Sequence, residues 1–314
     1  MSRISIVYNE QAKLYSFPQG HPFGSDRVTH FWKRLESEGI DDDARLSVLS
    51  PVIASTEDLL LFHSLEYIRF VEKMSKEGKG FLDNGDTPAF PGVYEASRMV
   101  VGSTLTALDA IMTKKIDHAF VPVGGLHHAR RDRAGGFCVF NDPAIAIEAA
   151  MVRYKLERIL YVDIDVHHGD GVFYEFYQEP RVFVVDIHED GRHLYPGTGF
   201  PDEIGAGEAT GTKINLPLLP GATDEDFRQE FNKIEDLARK AKPQLIILQS
   251  GADGMDADPL AHLRYSPQSH KFAGETIHRI AHGLCDGKLL VLGGGGYDRE
   301  STAHAWVNIV KTLL

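Results

Sequence analysis

Residues 159–171 read ILYVDIDVHHGDG. Four apolar or aromatic residues run into Asp163, Asp165, His167, His168 and Asp170. A strand that is apolar on both sides belongs inside a parallel sheet covered on both faces. Carboxylates at the end of such a strand are prohibitive unless something balances their charge. The stretch therefore asks which sheet it belongs to and what sits at its end. Similar apolar runs, rich in Val, Ile and Leu, occur at 4–8, 118–123, 182–188, 245–251 and 289–295. Helical patterns separate them. Asp142-Pro143 opens one over 144–154, with Asp142 as the expected N-cap. Thr223 and Asp226 form a capping-box pattern before 227–241. Ser266-Pro267 opens another that reaches about residue 284, and 94–112 and 302–314 also read as helices. This alternation predicts an α/β fold, a mostly parallel central sheet in a three-layer α/β/α arrangement, with residues 1–314 as one domain. The Gly/Pro-rich segments 78–92 and 195–221 read as long loops, which in compact α/β domains are often functional.

Polar clusters fall at one topological address. Segments 124–128, 163–170, 250–258 and 293–297 each follow an apolar run, so four strands deliver polar residues at their carboxyl ends. Open parallel sheets bind ligands there.

Composition narrows the function. The 314 residues carry 33 basic and 45 acidic side chains, a net charge of −12, which argues against a nucleic-acid surface. Cys138 and Cys285 are the only cysteines, too few for a disulfide framework, and fit a reducing compartment, taken here as the cytoplasm. The start, MSRISIVYNEQ, has no apolar signal core, and no run is long enough for a membrane span.

Asp165 and His167, two residues apart in an extended segment, point the same way. With Asp253 from another strand end they would form an Asp2His set with room for water, suited to zinc or ferrous iron. A hydrogen-bonded pair and a Gly-Ala-Asp-Gly turn would explain the same residues without a metal. Adjacent His127 and His128 are expected to point apart and not to share one ion. Backed by Asp163 and Asp170 they would be tuned acids or bases. The glycines 293–296 before Tyr297 lack the spacing of a nucleotide-binding loop. They could instead present the Tyr297 hydroxyl to a developing oxyanion, or simply make a tight turn. Together these parts describe a metal-assisted hydrolase.

The segments GGLHHARRDRAGGFCVFNDPAIAI, ILYVDIDVHHGDG, LYPGTG, LQSGADGMDADPLAHL and LGGGGYD, with HPFGSDR, FHSLEYI and GDTPAFPGVYEA, resemble the histone deacetylase superfamily, especially its bacterial acetoin-utilisation branch. They span nearly the whole chain. The resemblance implies an arginase-like α/β fold and hydrolysis of an N-acetyl amide to an amine and acetate. It implies Asp165, His167 and Asp253 as zinc ligands, and His128, backed by Asp170, as general base. His127, backed by Asp163, would be its electrostatic or acid partner, and Tyr297 the oxyanion donor. Phe137 and Tyr195 would wall a lysine tunnel together with Gly136, Gly295 and Leu260. Asp86 would be a rim carboxylate for the substrate backbone and Arg27 the lining of an acetate pocket. A monovalent cation, usually potassium, would sit at Asp163, Asp165, His167, Asp186 and Ile187. Asp186 departs from the serine often found in relatives and leaves that site open.

Leu260 stands where the polyamine-selective branch has a glutamate, which favours acetyl-lysine in proteins over small acetylated amines. A two-manganese ureohydrolase and a non-enzymatic acetyl-lysine or nucleotide-binding module are the competing readings. The carboxylate set looks small for a bridged metal pair, and a binding module would not need His127, His128 and Tyr297 together.

Overall fold

The computed structural model describes residues 3–18 and 20–314. Met1, Ser2 and Gln19, within the expected 1–314 domain, lie outside the described residues. The strands are β1 (Ile4–Val7), β2 (Leu46–Leu49), β3 (His118–Val121), β4 (Ile159–Asp163), β5 (Val182–Glu189), β6 (Lys213–Leu218), β7 (Leu245–Gln249) and β8 (Leu289–Leu292). They form one sheet in the order β2-β1-β3-β8-β7-β4-β5-β6. Every ladder is parallel.

The helices are α1 (Asp26–Ser37), α2 (Thr56–Leu59), α3 (Leu65–Glu77), α4 (Val93–Met112), α5 (Asp142–Arg153), α6 (Asp170–Glu175), α7 (Asp224–Phe231), α8 (Lys233–Ala241), α9 (Pro267–Cys285) and α10 (Arg299–Leu313). Every residue of β1, β3, β4, β7 and β8 is buried, so helices cover both faces of the sheet. Helices α1, α9 and α10 pack as one group and α3, α4 and α5 as another.

Four details depart from the sequence reading. The segment 195–221 is not all loop, because it contains β6. Strand β2 was also unread. Both are edge strands; β2 has no fully buried residue and β6 carries Lys213 and Pro217, so neither has the continuous apolar signal of the centre. Finally, Asn141 rather than Asp142 caps α5, its Oδ1 accepting from the Ala144 N–H at 2.9 Å. The expected capping contact at Thr223 is present, with its N–H donating to Asp226 at 2.8 Å, but the helix is divided at Asn232 into α7 and α8.

The order of the sheet positions the chemistry. Strands β3, β8, β7 and β4 are adjacent at its centre, and these four carry the polar clusters at their carboxyl ends. Register sets Asp163 beside Gln249 on one side and Asp186 on the other.

Candidate active site

The chain leaves β4 at Asp163 and bends, which turns Asp165 and His167 toward the loop after β7. His167 Nδ1 lies 3.1 Å from Asp165 Oδ1 and 3.1 Å from Asp253 Oδ2. One ligand atom from each residue lies within 4.8 Å of the others. All three are buried, and among the described residues the two carboxylates form no ion pair with a lysine or arginine. Burial and the neighbouring Asp165 push Asp253 up to about 7. Burial opposes charge on His167, but the two carboxylates outweigh it and lift the imidazole to about 10. A cluster that holds protons this firmly is short of positive charge. The donor set, two carboxylate oxygens and one imidazole nitrogen around a common point, fits one divalent ion.

Groups not read as supports in the sequence hold this trio in shape. Gln249 Nε2 donates to Asp165 Oδ2 at 2.8 Å, as does the Gly295 N–H at 2.8 Å. The Val166 N–H donates to Asp253 Oδ1 at 2.9 Å. A polar residue closing the apolar β7 was the only trace of Gln249 in the sequence.

His127 and His128 do not simply point apart. Their Nδ1 ends diverge, but their Nε2 atoms meet at 3.1 Å. His127 Nδ1 lies 2.8 Å from Asp163 Oδ2, which also accepts from the Tyr161 hydroxyl at 2.6 Å. His128 Nδ1 lies 2.7 Å from Asp170 Oδ1, and the other Asp170 oxygen accepts from Arg130 at 2.8 Å. The two carboxylates thus anchor the far ends of both rings. Burial and then the adjacent His127 push His128 down to about 4. Burial works the same way on His127, but Asp163 and Asp165 overcome it and raise that ring to about 10. Environments that push two neighbouring groups apart are the signature of an acid–base pair. The loop is pinned by Asn141 Nδ2, which donates to the carbonyls of His127 and Ala129 at 3.1 and 2.8 Å. Asp142 accepts from the Leu126 N–H at 2.9 Å.

A cavity of about 220 Å³ reaches this centre, lined by Asp86, His128, Gly136, Phe137, His167, Leu194, Tyr195, Leu260 and Tyr297. Phe137 has a left-handed backbone, φ +66°, following Gly136 at φ +52°. That strain persists because both ends of Phe137 are tied: its N–H donates to Thr87 Oγ1 at 3.1 Å and its carbonyl accepts from Tyr15 at 2.6 Å. Tyr297 is positioned through its backbone N–H, which donates to Asp258 Oδ2 at 2.7 Å, while Asp258 Oδ1 accepts from the Leu260 N–H at 2.9 Å. Burial and the nearby Asp253 and Asp165 hold the Tyr297 phenol well above its usual range, so it stays a donor.

Against Asp165, His167, His127 and His128 lies a smaller space of about 20 Å³, lined also by Phe23, Cys138, Gly294 and Gly295 and large enough for one water. Arg27 is buried beside it, donating to the Gly294 carbonyl at 2.5 Å, with Phe23 4.3 Å from its guanidinium carbon. Its Nε has no partner among the described residues.

Asp186 and Ile187 lie at the next strand, β5. The Asp186 carboxylate is engaged: Oδ1 lies 2.6 Å from His188 Nδ1 and Oδ2 accepts from the Gly169 N–H at 2.9 Å. Burial opposes charge on His188, yet Asp186 keeps the ring above its ordinary value. The sequence reading passed over this pairing.

A buried two-carboxylate, one-imidazole centre at the carboxyl edge of a parallel sheet, flanked by carboxylate-backed histidines, defines the class as metal-assisted hydrolases. A histone deacetylase domain matches residues 21–313. The acetoin utilization protein AcuC of Bacillus subtilis is 39% identical over 97% of this chain and 80% of its own length. A probable deacetylase of Archaeoglobus fulgidus is 34% identical over 94% and 81%. The crystal structure of the HDA15 HD domain superposes with a TM-score of 0.91 at 27% identity, covering 100% of this chain and 89% of that one. The chain belongs to the histone deacetylase superfamily, in its acetoin-utilisation branch. With the family goes the enzyme class, a hydrolase acting on acetyl amides.

Proposed function

We propose that the protein removes acetyl groups from lysine side chains of other proteins and releases acetate. One observation carries this reading: a narrow cavity walled by Phe137, Tyr195, Leu194 and Leu260 ends on His128, His167 and Tyr297 together. Apolar walls suit the methylenes of a lysine stem, and the polar end suits the amide. Leu260 offers no charge to a second amine. Acetylpolyamines are therefore the weaker substrate reading.

Asp165, His167 and Asp253 would hold zinc or ferrous iron, which supplies a Lewis acid for the acyl oxygen and the attacking water. His128, neutral and oriented by Asp170, takes the proton of that water. The Tyr297 hydroxyl donates to the oxygen as it becomes an oxyanion. His127, held by Asp163, keeps a positive charge beside the reacting centre and offers a proton for the leaving amine. Arg27 attracts the released acetate, and Asp86 at the mouth accepts a substrate backbone N–H. Potassium would use Asp163, Asp165, His167, Asp186 and Ile187. Because His188 answers the Asp186 carboxylate, that residue adds no uncompensated charge, and backbone oxygens would do the binding. The free, buried Cys138 and Cys285 suit a reducing cytoplasm. Among the described residues no helix is long and apolar enough to cross a membrane.

The test is a panel of acetyl-lysine peptides, acetylpolyamines and longer acyl-lysine peptides, assayed with zinc and with iron. Acetyl-lysine should be cleaved best. His128→Ala and Tyr297→Phe should each lower kcat/KM by about 100-fold or more with the fold retained. Preference for acetylpolyamines would overturn the substrate, and near-normal turnover by either variant would overturn that residue's role.

A further inference from the structure

Three histidines meet at the opposite end of the sheet. His118 opens β3, while His278 and His282 lie one turn apart on α9. Because the strands are parallel, this amino end is separated from the active site by at least the length of β3, roughly 10 Å. The three Nε2 atoms form a closed triangle with sides of 3.0 Å (His118–His278), 2.9 Å (His278–His282) and 3.2 Å (His118–His282).

Protons cannot satisfy that triangle. Each Nε2 presents either a hydrogen or a lone pair. Three atoms with two states must include two alike, so one side always sets hydrogen against hydrogen or lone pair against lone pair. A cation in the middle removes the conflict, since all three then present lone pairs. The spacing also fits: nitrogens about 2.1 Å from one ion stand about 3.0 Å apart on an octahedral face and about 3.4 Å apart in a tetrahedron. His118 is buried, His278 half-buried and His282 exposed, so one side faces solvent and leaves positions for water. Gly287 lies against the rings; a Cβ there would stand 3.2 Å from His282 Cε1 and 3.4 Å from His118 Cε1. An all-imidazole set selects borderline transition metals and disfavours calcium and magnesium.

We propose that His118, His278 and His282 bind a second divalent transition-metal ion, zinc in the first instance, which ties α9 to the start of β3. The site is separate from the hydrolytic centre and does not depend on the substrate. The test strips the full-length protein with a chelator, dialyses it against buffered zinc and counts bound metal. Wild type should take up one equivalent more than His278→Ala/His282→Ala, and that variant should deacetylate within about twofold of wild type. Asp253→Asn should lose the other equivalent and keep this one, so a failure at either site shows separately. If the double variant does not fold, His282→Gln, altered at an exposed position, should bind zinc at this site at least tenfold more weakly. Crystals soaked in zinc should show an anomalous peak among the three Nε2 atoms. Equal uptake by wild type and the histidine variants, or no such peak, would overturn the proposal.

Discussion

Gly295 shows how little space the Asp165, His167 and Asp253 trio leaves. Its N–H holds Asp165, and a Cβ at this position would lie 2.0 Å from Asp253 Oδ2 and 2.9 Å from Asp165 Oδ2. Backbone and carboxylates must touch here for both acids to face one point. Gly295→Ala should therefore push at least one carboxylate away, lowering metal affinity at the trio by about tenfold or more, in the range seen when the supports of metal ligands are lost. Chelator competition measures this, with circular dichroism to check the fold; wild-type affinity would show that the glycine is not required. At this scale the sequence was readable where residue type and spacing carry chemistry, as for Asp165, His167 and Asp253. It was silent where a residue acts only through a neighbour. Gln249 and Tyr161 look ordinary until strand register and side-chain contacts set them against Asp165 and Asp163.

Helix α5 couples folding to the site through its first turn. Asn141 caps the helix with Oδ1 and, through Nδ2, holds the two carbonyls that flank His128. Asn141→Ala removes a cap and leaves two buried carbonyls without that donor, for a cost of about 2–4 kcal/mol. Asn141→Ser keeps a capping oxygen and gives up the amide that reaches the two carbonyls without burying a charge, so it should recover part of the stability while kcat stays low. Urea unfolding beside steady-state kinetics separates the two effects; parallel recovery of both would mean the cap alone matters. The expected capping by Asp142 failed for a related reason. That carboxylate faces the Gly125 and Leu126 amides and the Thr104 hydroxyl, a tertiary demand local sequence cannot display. Central strands were legible because burial on both faces makes them continuously apolar. The edges β2 and β6 lack that requirement and so lacked the signal.

Across the whole molecule, buried ionisable groups make stability depend on pH with opposing signs. His63 accepts the Asn141 N–H at Nε2, 2.9 Å away, a bond that protonation of that nitrogen destroys. Burial pushes this imidazole from 6.5 down to about 3. Below pH 6.5 the unfolded chain takes up a proton that the folded one refuses, so this contribution, full above that pH, is lost as pH falls toward 3. The slope is about 1.4 kcal/mol per pH unit. Asp142 acts oppositely. Burial raises its carboxyl from 3.8 to about 6, so its contribution is full below pH 3.8 and is lost as pH rises through 6. The net curve of wild type mixes these and other groups, so the expectation is a difference. His63→Gln, which keeps an acceptor and cannot titrate, should lose stability less steeply than wild type, by about one proton's worth, between pH 6 and 4. Urea unfolding at half-unit steps across that range reads the slope directly. Parallel curves for the two proteins would mean that His63 is protonated in the folded state, and that the Asn141 amide, and with it the loop carrying His127 and His128, is held by something else.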